Sequence, residues 1–143
     1  METAETRELV ERYYAALTSA DQDGMLDCLD PDVVWEPPAT AALGNAVDTM
    51  SGAKAVVDAL GGRVVRQAFD IKKPINLEIR KMTVEGDTAV VQHRLTATAK
   101  ATGNDYDNQY CWVYTCSGGR ITYMEEYVDT LYAARQMGWD LDA

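Results

Sequence analysis

Residues 106–130, YDNQYCWVYTCSGGRITYMEEYVDT, decide how the chain is read. Two runs rich in aromatic and β-branched residues flank Ser117-Gly118-Gly119, the pattern of two strands joined by a tight turn. In the first run, strand 106–116, Tyr106, Asn108, Tyr110, Trp112 and Tyr114 share one parity; Asp107, Gln109, Cys111, Val113 and Thr115 share the other. Successive strand residues point to opposite faces, so one parity is inner and one outer, and spacing alone does not say which. In the second run, strand 120–129, the adjacent Glu125 and Glu126 must face opposite ways. One of them therefore points inward, where an unpaired carboxylate is costly and tends to keep its proton. Parity leaves the choice between the two open.

Upstream, period-two alternation continues. Residues 75–84, INLEIRKMTV, place Ile75, Leu77 and Ile79 on one face, and Glu85-Gly86-Asp87 supplies a turn. The next strand, 88–100, carries Val91, His93 and Leu95 on one face and Gln92, Arg94 and Thr96 on the other. The polar set belongs in water or at a partner interface, so His93, the only histidine, is expected to point inward. There it is either a buried imidazole satisfied by hydrogen bonds or a general acid or base, since imidazole changes charge nearest neutral pH. A turn near Thr102-Gly103-Asn104 joins this strand to the 106–116 strand.

The N-terminal half reads as helical. Residues 5–20 place Leu9, Tyr13, Ala16, Leu17 and Ala20 on one stripe, with Val10 and Tyr14 at its edge. Asp21 and Asp23 open a second helix that stops at Asp30-Pro31, and Val33–Glu36 forms a short strand ended by Pro37-Pro38. Residues 39–51 read as a loop. A third helix spans 52–68, interrupted at Gly61-Gly62, and a short one spans 130–138. Helices followed by consecutive hairpins predict an α+β fold: a curved antiparallel sheet with helices on one face, enclosing a conical cavity suited to one small, largely apolar ligand.

The 143 residues amount to one domain, 1–143, without repeats or linkers. No apolar run approaches the about 20 residues of a membrane span. The opening METAETRELVER has no basic segment followed by an apolar one, so no signal peptide is expected. The net charge of −10 repels phosphate backbones, which argues against nucleic-acid binding. Cys28, Cys111 and Cys116, an odd number without metal-type spacing, read as buried thiols of a reducing cytoplasm. If Cys111 and Cys116 share a strand, they lie on opposite faces and cannot bridge. One histidine and scattered carboxylates give no metal-ligand spacing, and no phosphate-cradling loop or nucleophile elbow is present.

Three stretches resemble the SnoaL-like, ketosteroid-isomerase-related branch of the nuclear-transport-factor-2-like superfamily. LVERYYAALTSADQDGMLDCLDPDVVWEPP is similar to its opening helices and first strand, SGAKAV to the start of its third helix, and the 106–130 hairpin to its last hairpin. The resemblance implies a cone-shaped α+β barrel, dimeric through the outer sheet face, with no metal or organic cofactor. Aligned on RYYAAL, Tyr13 matches the tyrosine that donates to the oxyanion in ketosteroid isomerases. The isomerase's base aspartate falls on Pro37, beside Glu36, and its second aspartate falls near Cys111, which argues against steroid isomerisation.

Aligned on GRITYMEEYVD, Glu126 falls on one aspartate of the acid–base pair of limonene-epoxide-hydrolase relatives. His93 takes the place of their bridging arginine, Leu95 of their other aspartate, Trp35 of their water-binding tyrosine and Pro37 of their asparagine. The resemblance thus selects Glu126 over Glu125. It implies cofactor-free acid–base chemistry on a small apolar oxygenated molecule: isomerisation, cyclisation or dehydration, or alternatively epoxide opening, with a non-catalytic binding module as the other class. Glu126 and His93 would exchange protons with the substrate and Tyr13 would donate to an oxyanion. Tyr14, Trp35, Leu95, Asn108, Tyr110, Trp112, Met124 and Val128 would bind it. A homodimer is expected.

Overall fold

The computed structural model describes residues 1–38 and 48–141; most of the expected 39–51 loop lies outside the described residues. Helix α1 (Thr3–Thr18) buries Leu9, Val10, Tyr13, Tyr14 and Ala16, and opens with a reciprocal capping box between Glu2 and Glu5. Asp21 caps α2 (Gln22–Cys28) by accepting the Gly24 N–H. Strand β1 (Leu29–Glu36) starts earlier than Val33 and runs through Pro31. Its pairing is interrupted between Leu29 and Val34, so the missing proline N–H breaks no regular ladder there.

After β2 (Met50–Ser51), the expected 52–68 helix is divided. It consists of α3 (Ala53–Asp58), a π-helical turn (Ala59–Arg63) and α4 (Val64–Ala68), with Gly62 outside helical geometry. Two adjacent glycines weaken the helix where the π-turn forms. A Cβ added at Gly61 would meet its nearest neighbour, Gln22 Cγ, at 3.4 Å, close to ordinary contact. Gly61→Ala is therefore expected to raise stability by about 0.5–1 kcal/mol, read as an increase in Tm of about 2–4 °C.

The remaining elements are β3 (Asn76–Glu85), β4 (Thr88–Thr98), β5 (Asp105–Ser117), β6 (Arg120–Val128) and α5 (Thr130–Met137). Asp129 caps α5 at its start, and left-handed Gly138 (φ 72°, ψ 29°) closes it. The strands form one curved, unclosed sheet in the order β2-β1-β6-β5-β4-β3. It departs from a purely antiparallel sheet at one pair: β1 runs parallel to β6. A parallel pair needs a long crossover, and most of the chain lies between these two strands.

Two bulges set which side chains face inward. Between β3 and β4, Ile79 pairs with His93 and Lys81 with Gln92, which leaves Arg80 extra. The alternation therefore changes frame along β3. Leu77 precedes the bulge and Met82 and Val84 follow it; all three pack on the core, whereas Ile79 remains 40% exposed. Between β5 and β6 the extra residue is Thr122.

Helix α1 packs on β3, β4 and β6, α2 and α3 on β1, and α5 on β5. The main core joins α1–α3 to the inner face of the sheet, while Phe69, Ala99, Tyr106, Ala133 and Met137 form a second cluster beneath α5. Arg94 and Asp107 make a bidentate pair at 2.7 Å on the exposed face. Cys28 and Cys116 are buried, but Cys111 is only half-buried, a correction to its reading as a buried thiol. It has the outward parity of β5. No helix of the described residues is long and apolar enough to cross a membrane.

Candidate functional site

The inner wall of the cone is built by strand register. Across β4 and β5, Val91 pairs with Trp112, His93 with Tyr110 and Leu95 with Asn108. Across β5 and β6, Tyr110 pairs with Val128, Trp112 with Glu126 and Tyr114 with Met124. Directly paired residues share a face, and Tyr114, Trp112 and Met124 are buried. Glu126 therefore faces inward and Glu125 outward. The Thr122 bulge makes that choice. Counting in twos from buried Ile121 would reach Glu125, and the extra residue moves the inward set to Met124 and Glu126.

Glu126 is half-buried by accessible surface because it borders the cavities, yet protein closely surrounds its carboxyl. Trp35 Nε1 donates to its Oε1 at 3.2 Å. Burial raises its pKa from 4.5 to about 8, and the bond from Trp35 opposes that rise only in part. Trp35→Phe removes this donor. The titration of Glu126 is then expected to move further above 8, measured by carbon-detected NMR of the labelled carboxyl.

His93 is 4% exposed. Its ring stacks on Tyr110 with centroids 4.9 Å apart and meets the Tyr14 ring edge-on at 5.8 Å. Its Nδ1 has no hydrogen-bond partner, and burial lowers its pKa to about 4. At neutral pH the wall thus holds a protonated carboxyl, the reverse of an ordinary glutamate, beside an imidazole that burial keeps uncharged.

Nearby tyrosines stay protonated because burial raises their pKa values, those of Tyr13, Tyr14, Tyr110 and Tyr114 among them. Tyr114 donates to the Tyr14 hydroxyl at 2.8 Å, which leaves the Tyr14 proton free to donate onward. Trp112 Nε1 is buried without a partner.

Two cavities meet here. The larger, about 630 Å³, is lined by Tyr13, Tyr14, His93, Leu95, Tyr110, Trp112 and Glu126, with Leu60, Gly61 and Gly62 of the π-turn also at its wall. The smaller, about 290 Å³, is lined by Trp35, Phe69, Tyr106, Tyr110, Glu126, Val128 and residues from α5 onward, Ala133, Met137 and Trp139. Glu126 and Tyr110 line both, and Glu126 is the sole carboxylate of either wall among the described residues.

Nine of the eleven side chains expected at the site therefore lie on a cavity wall: Tyr13, Tyr14, His93, Leu95 and Trp112 on the larger, Trp35 and Val128 on the smaller, Tyr110 and Glu126 on both. Asn108 and Met124 do not. The Asn108 amide donates to the Tyr106 hydroxyl and to the Asp129 carbonyl, both at 3.1 Å, so it braces Tyr106 and the start of α5. Met124 is fully buried in the main core. Sharing the inner face was a necessary condition but not a sufficient one, because the cone is filled with side chains where these two sit. Phe69, Tyr114 and Trp139 also line these walls, beyond the eleven expected side chains. Tyr114 shares the parity of Tyr110 and Trp112, which could have indicated it; nothing local marks Phe69 or Trp139. No group of three His, Cys, Asp or Glu is placed to hold a metal among the described residues.

A family model for the SnoaL-like domain matches residues 10–124. The chain belongs to the SnoaL-like domain family. No curated protein matches it by sequence. Among solved structures, this SnoaL-like chain is similar to an NTF2-like protein of unknown function from Burkholderia pseudomallei K96243 (24% identity, TM-score 0.79, covering 93% of this chain and 97% of that one). It is also similar to a provisionally assigned SnoaL-like polyketide cyclase from Jannaschia sp. CCS1 (19%, TM-score 0.78, 94% and 92%). A third is a Mycobacterium tuberculosis LEH-like epoxide hydrolase (18%, TM-score 0.70, 94% and 90%). At these identities the likeness establishes the nuclear-transport-factor-2-like fold.

Proposed function

We propose that this SnoaL-like domain is a cofactor-independent acid–base enzyme for a small, largely apolar oxygenated molecule, of isomerase, cyclase or dehydratase type. The observation that carries the reading is Glu126, a lone carboxyl at the wall of an aromatic cavity, with burial raising its pKa to about 8. In that state it donates a proton to a substrate oxygen at neutral pH. His93, neutral because its pKa is lowered to about 4, accepts a proton from the substrate carbon skeleton. Return of that proton to another carbon, with the oxygen's proton going back to Glu126, gives isomerisation; loss of the protonated oxygen as water, after which the His93 proton passes through solvent to restore Glu126, gives dehydration. Tyr14, itself a hydrogen-bond acceptor from Tyr114, is the better placed donor to a developing oxyanion; Tyr13 lies on the same wall. Epoxide opening by an acid–base pair of carboxylates is less well supported. Leu95, where the epoxide-hydrolase comparison would put the second carboxylate, is an apolar part of the wall.

Turnover of small apolar epoxides, enones and hydroxyketones, followed by mass spectrometry across pH, tests the reading. The expected profile is bell-shaped. Activity falls above about pH 8 as Glu126 ionises and below about pH 4 as His93 protonates. A substrate turned over without an alkaline limb would overturn the role of Glu126. Ligands that raise Tm but are never converted would favour a binding module.

A further inference from the structure

Among the described residues, Glu126 and Arg66 are the only Asp, Glu, Lys or Arg on either cavity wall. Glu126 keeps its proton at neutral pH, so Arg66 carries the one full charge there. Arg66 belongs to α4 and lines the larger cavity alone. It lies at the exposed rim, with Thr18, Ala20, Ile71 and Asn76, whereas Tyr13, Tyr14, His93 and Tyr114 on the inner wall are buried. The Glu126 pKa answers to burial and to the Trp35 bond, with no contribution from a cation, so the guanidinium stands apart from that carboxyl.

The Arg66 guanidinium is also left available. Its neighbour Arg63 pairs with Asp58 at 3.0 Å, but the Arg66 side chain has no hydrogen bond or ion pair among the described residues. In a chain of 23 acidic and 13 basic residues, that sets it apart. Gly62 of the π-turn leaves room for it: a Cβ there would run into Arg66 Nη1. Gly62 lines the larger cavity too, so the guanidinium rests against the cavity wall. The planar fork of a guanidinium matches a carboxylate with two parallel hydrogen bonds. Its single charge balances a monoanion. A phosphate monoester, with about two negative charges at neutral pH, would leave one unmatched in a protein of net charge −10.

From this we infer that the substrate is a carboxylic acid: its carboxylate pairs with Arg66 at the rim, and its apolar body carries a second, reacting oxygen inward to Glu126. Resting on the acid–base reading, this adds the substrate class. Arg66 is then a specificity-determining residue that decides which end of the molecule enters the cone.

Binding separates this inference from the catalytic reading. Isothermal titration with Glu126→Gln protein uses a panel of keto acids, cyclohexanones and decalones carrying a propanoate chain remote from the carbonyl, each beside its methyl ester and its phosphate-ester counterpart. At least one acid is expected to bind about tenfold more tightly than its ester, the usual size of a charge-assisted pair. Adding Arg66→Gln is expected to bring that acid down to the affinity of its ester while leaving the Kd of the ester unchanged. Arg66→Lys, which keeps the charge without the fork, should restore part of the difference. No acid binding more tightly than its ester, or an advantage that survives Arg66→Gln, would overturn the assignment. So would equal weakening of acid and ester, and tighter binding of a phosphate ester would overturn the choice of carboxylate. Failure of the acid–base reading would instead appear as unchanged turnover on removing the Glu126 carboxyl, whatever the Kd values.

Discussion

Glu126→Gln is expected to fold and to lose about 10²–10⁴-fold in kcat, the usual size of a general acid's contribution. Glutamine keeps the length and a carbonyl to accept the Trp35 N–H, which bonds Glu126 at 3.2 Å, so the wall should retain its shape. What it cannot do is give up a proton to a substrate oxygen. KM should change little, because the neutral amide and the protonated carboxyl present similar surfaces to the ligand. The comparison requires a substrate from the turnover panel and circular dichroism of both proteins. Near-normal kcat in a folded Glu126→Gln protein would eliminate the proposed chemistry.

The second large effect is on stability, and it has opposite signs at the two titrating groups. Folded Glu126 holds its proton up to about pH 8, whereas an ordinary glutamate releases it at 4.5. Between these values the folded state binds the extra proton, so stability falls as pH rises, by about 1.4 kcal/mol per unit. Folded His93 takes up its proton only below about 4, against 6.5 for an ordinary histidine. There the unfolded state binds the extra proton, so stability rises with pH at the same slope. The two contributions cancel between about 4.5 and 6.5, and the wild-type protein should lose stability from 6.5 to 8. Glu126→Gln removes the fall and should be more stable than wild type at pH 8 by about 3–5 kcal/mol, a large share of a domain's total. His93→Gln loses the stacking on Tyr110 at all pH values, but its distinguishing sign is the slope: stability that falls from pH 4.5 onward. Urea unfolding from pH 4 to 9 measures all three curves. Parallel curves for wild type and Glu126→Gln would mean that Glu126 titrates normally.

These two predictions depend on a carboxyl whose position was only partly legible in the chain. Alternation and turn residues are local properties, which is why the hairpins 75–100 and 106–129, the inward face of His93 and the capped helices could be read directly. The same locality explains the broken third helix, since Gly61-Gly62 is a visible weakness. A bulge is different. It adds one residue to one strand relative to its partner, so it exists only in the pairing of two strands. Counting along β6 alone could not choose between Glu125 and Glu126; the resemblance to relatives made that choice, and the Thr122 bulge shows its physical cause. Asn108 and Met124 missed the cavity for a related reason. Strand parity assigns a face, but whether a position on that face meets empty space or a packed neighbour depends on what arrives from elsewhere in the chain. Here the neighbours come from Asp129 at the start of α5 and from the main core.

By itself, then, the sequence determined the element order, the α+β class and the residue types available at an inner wall, because backbone propensity and hydrophobic period are written locally. Only the tertiary structure decided three things: which glutamate is buried, how far its proton is held, and that it stands between two cavities. Each depends on desolvation and register, which arise when strands far apart in the chain are brought side by side.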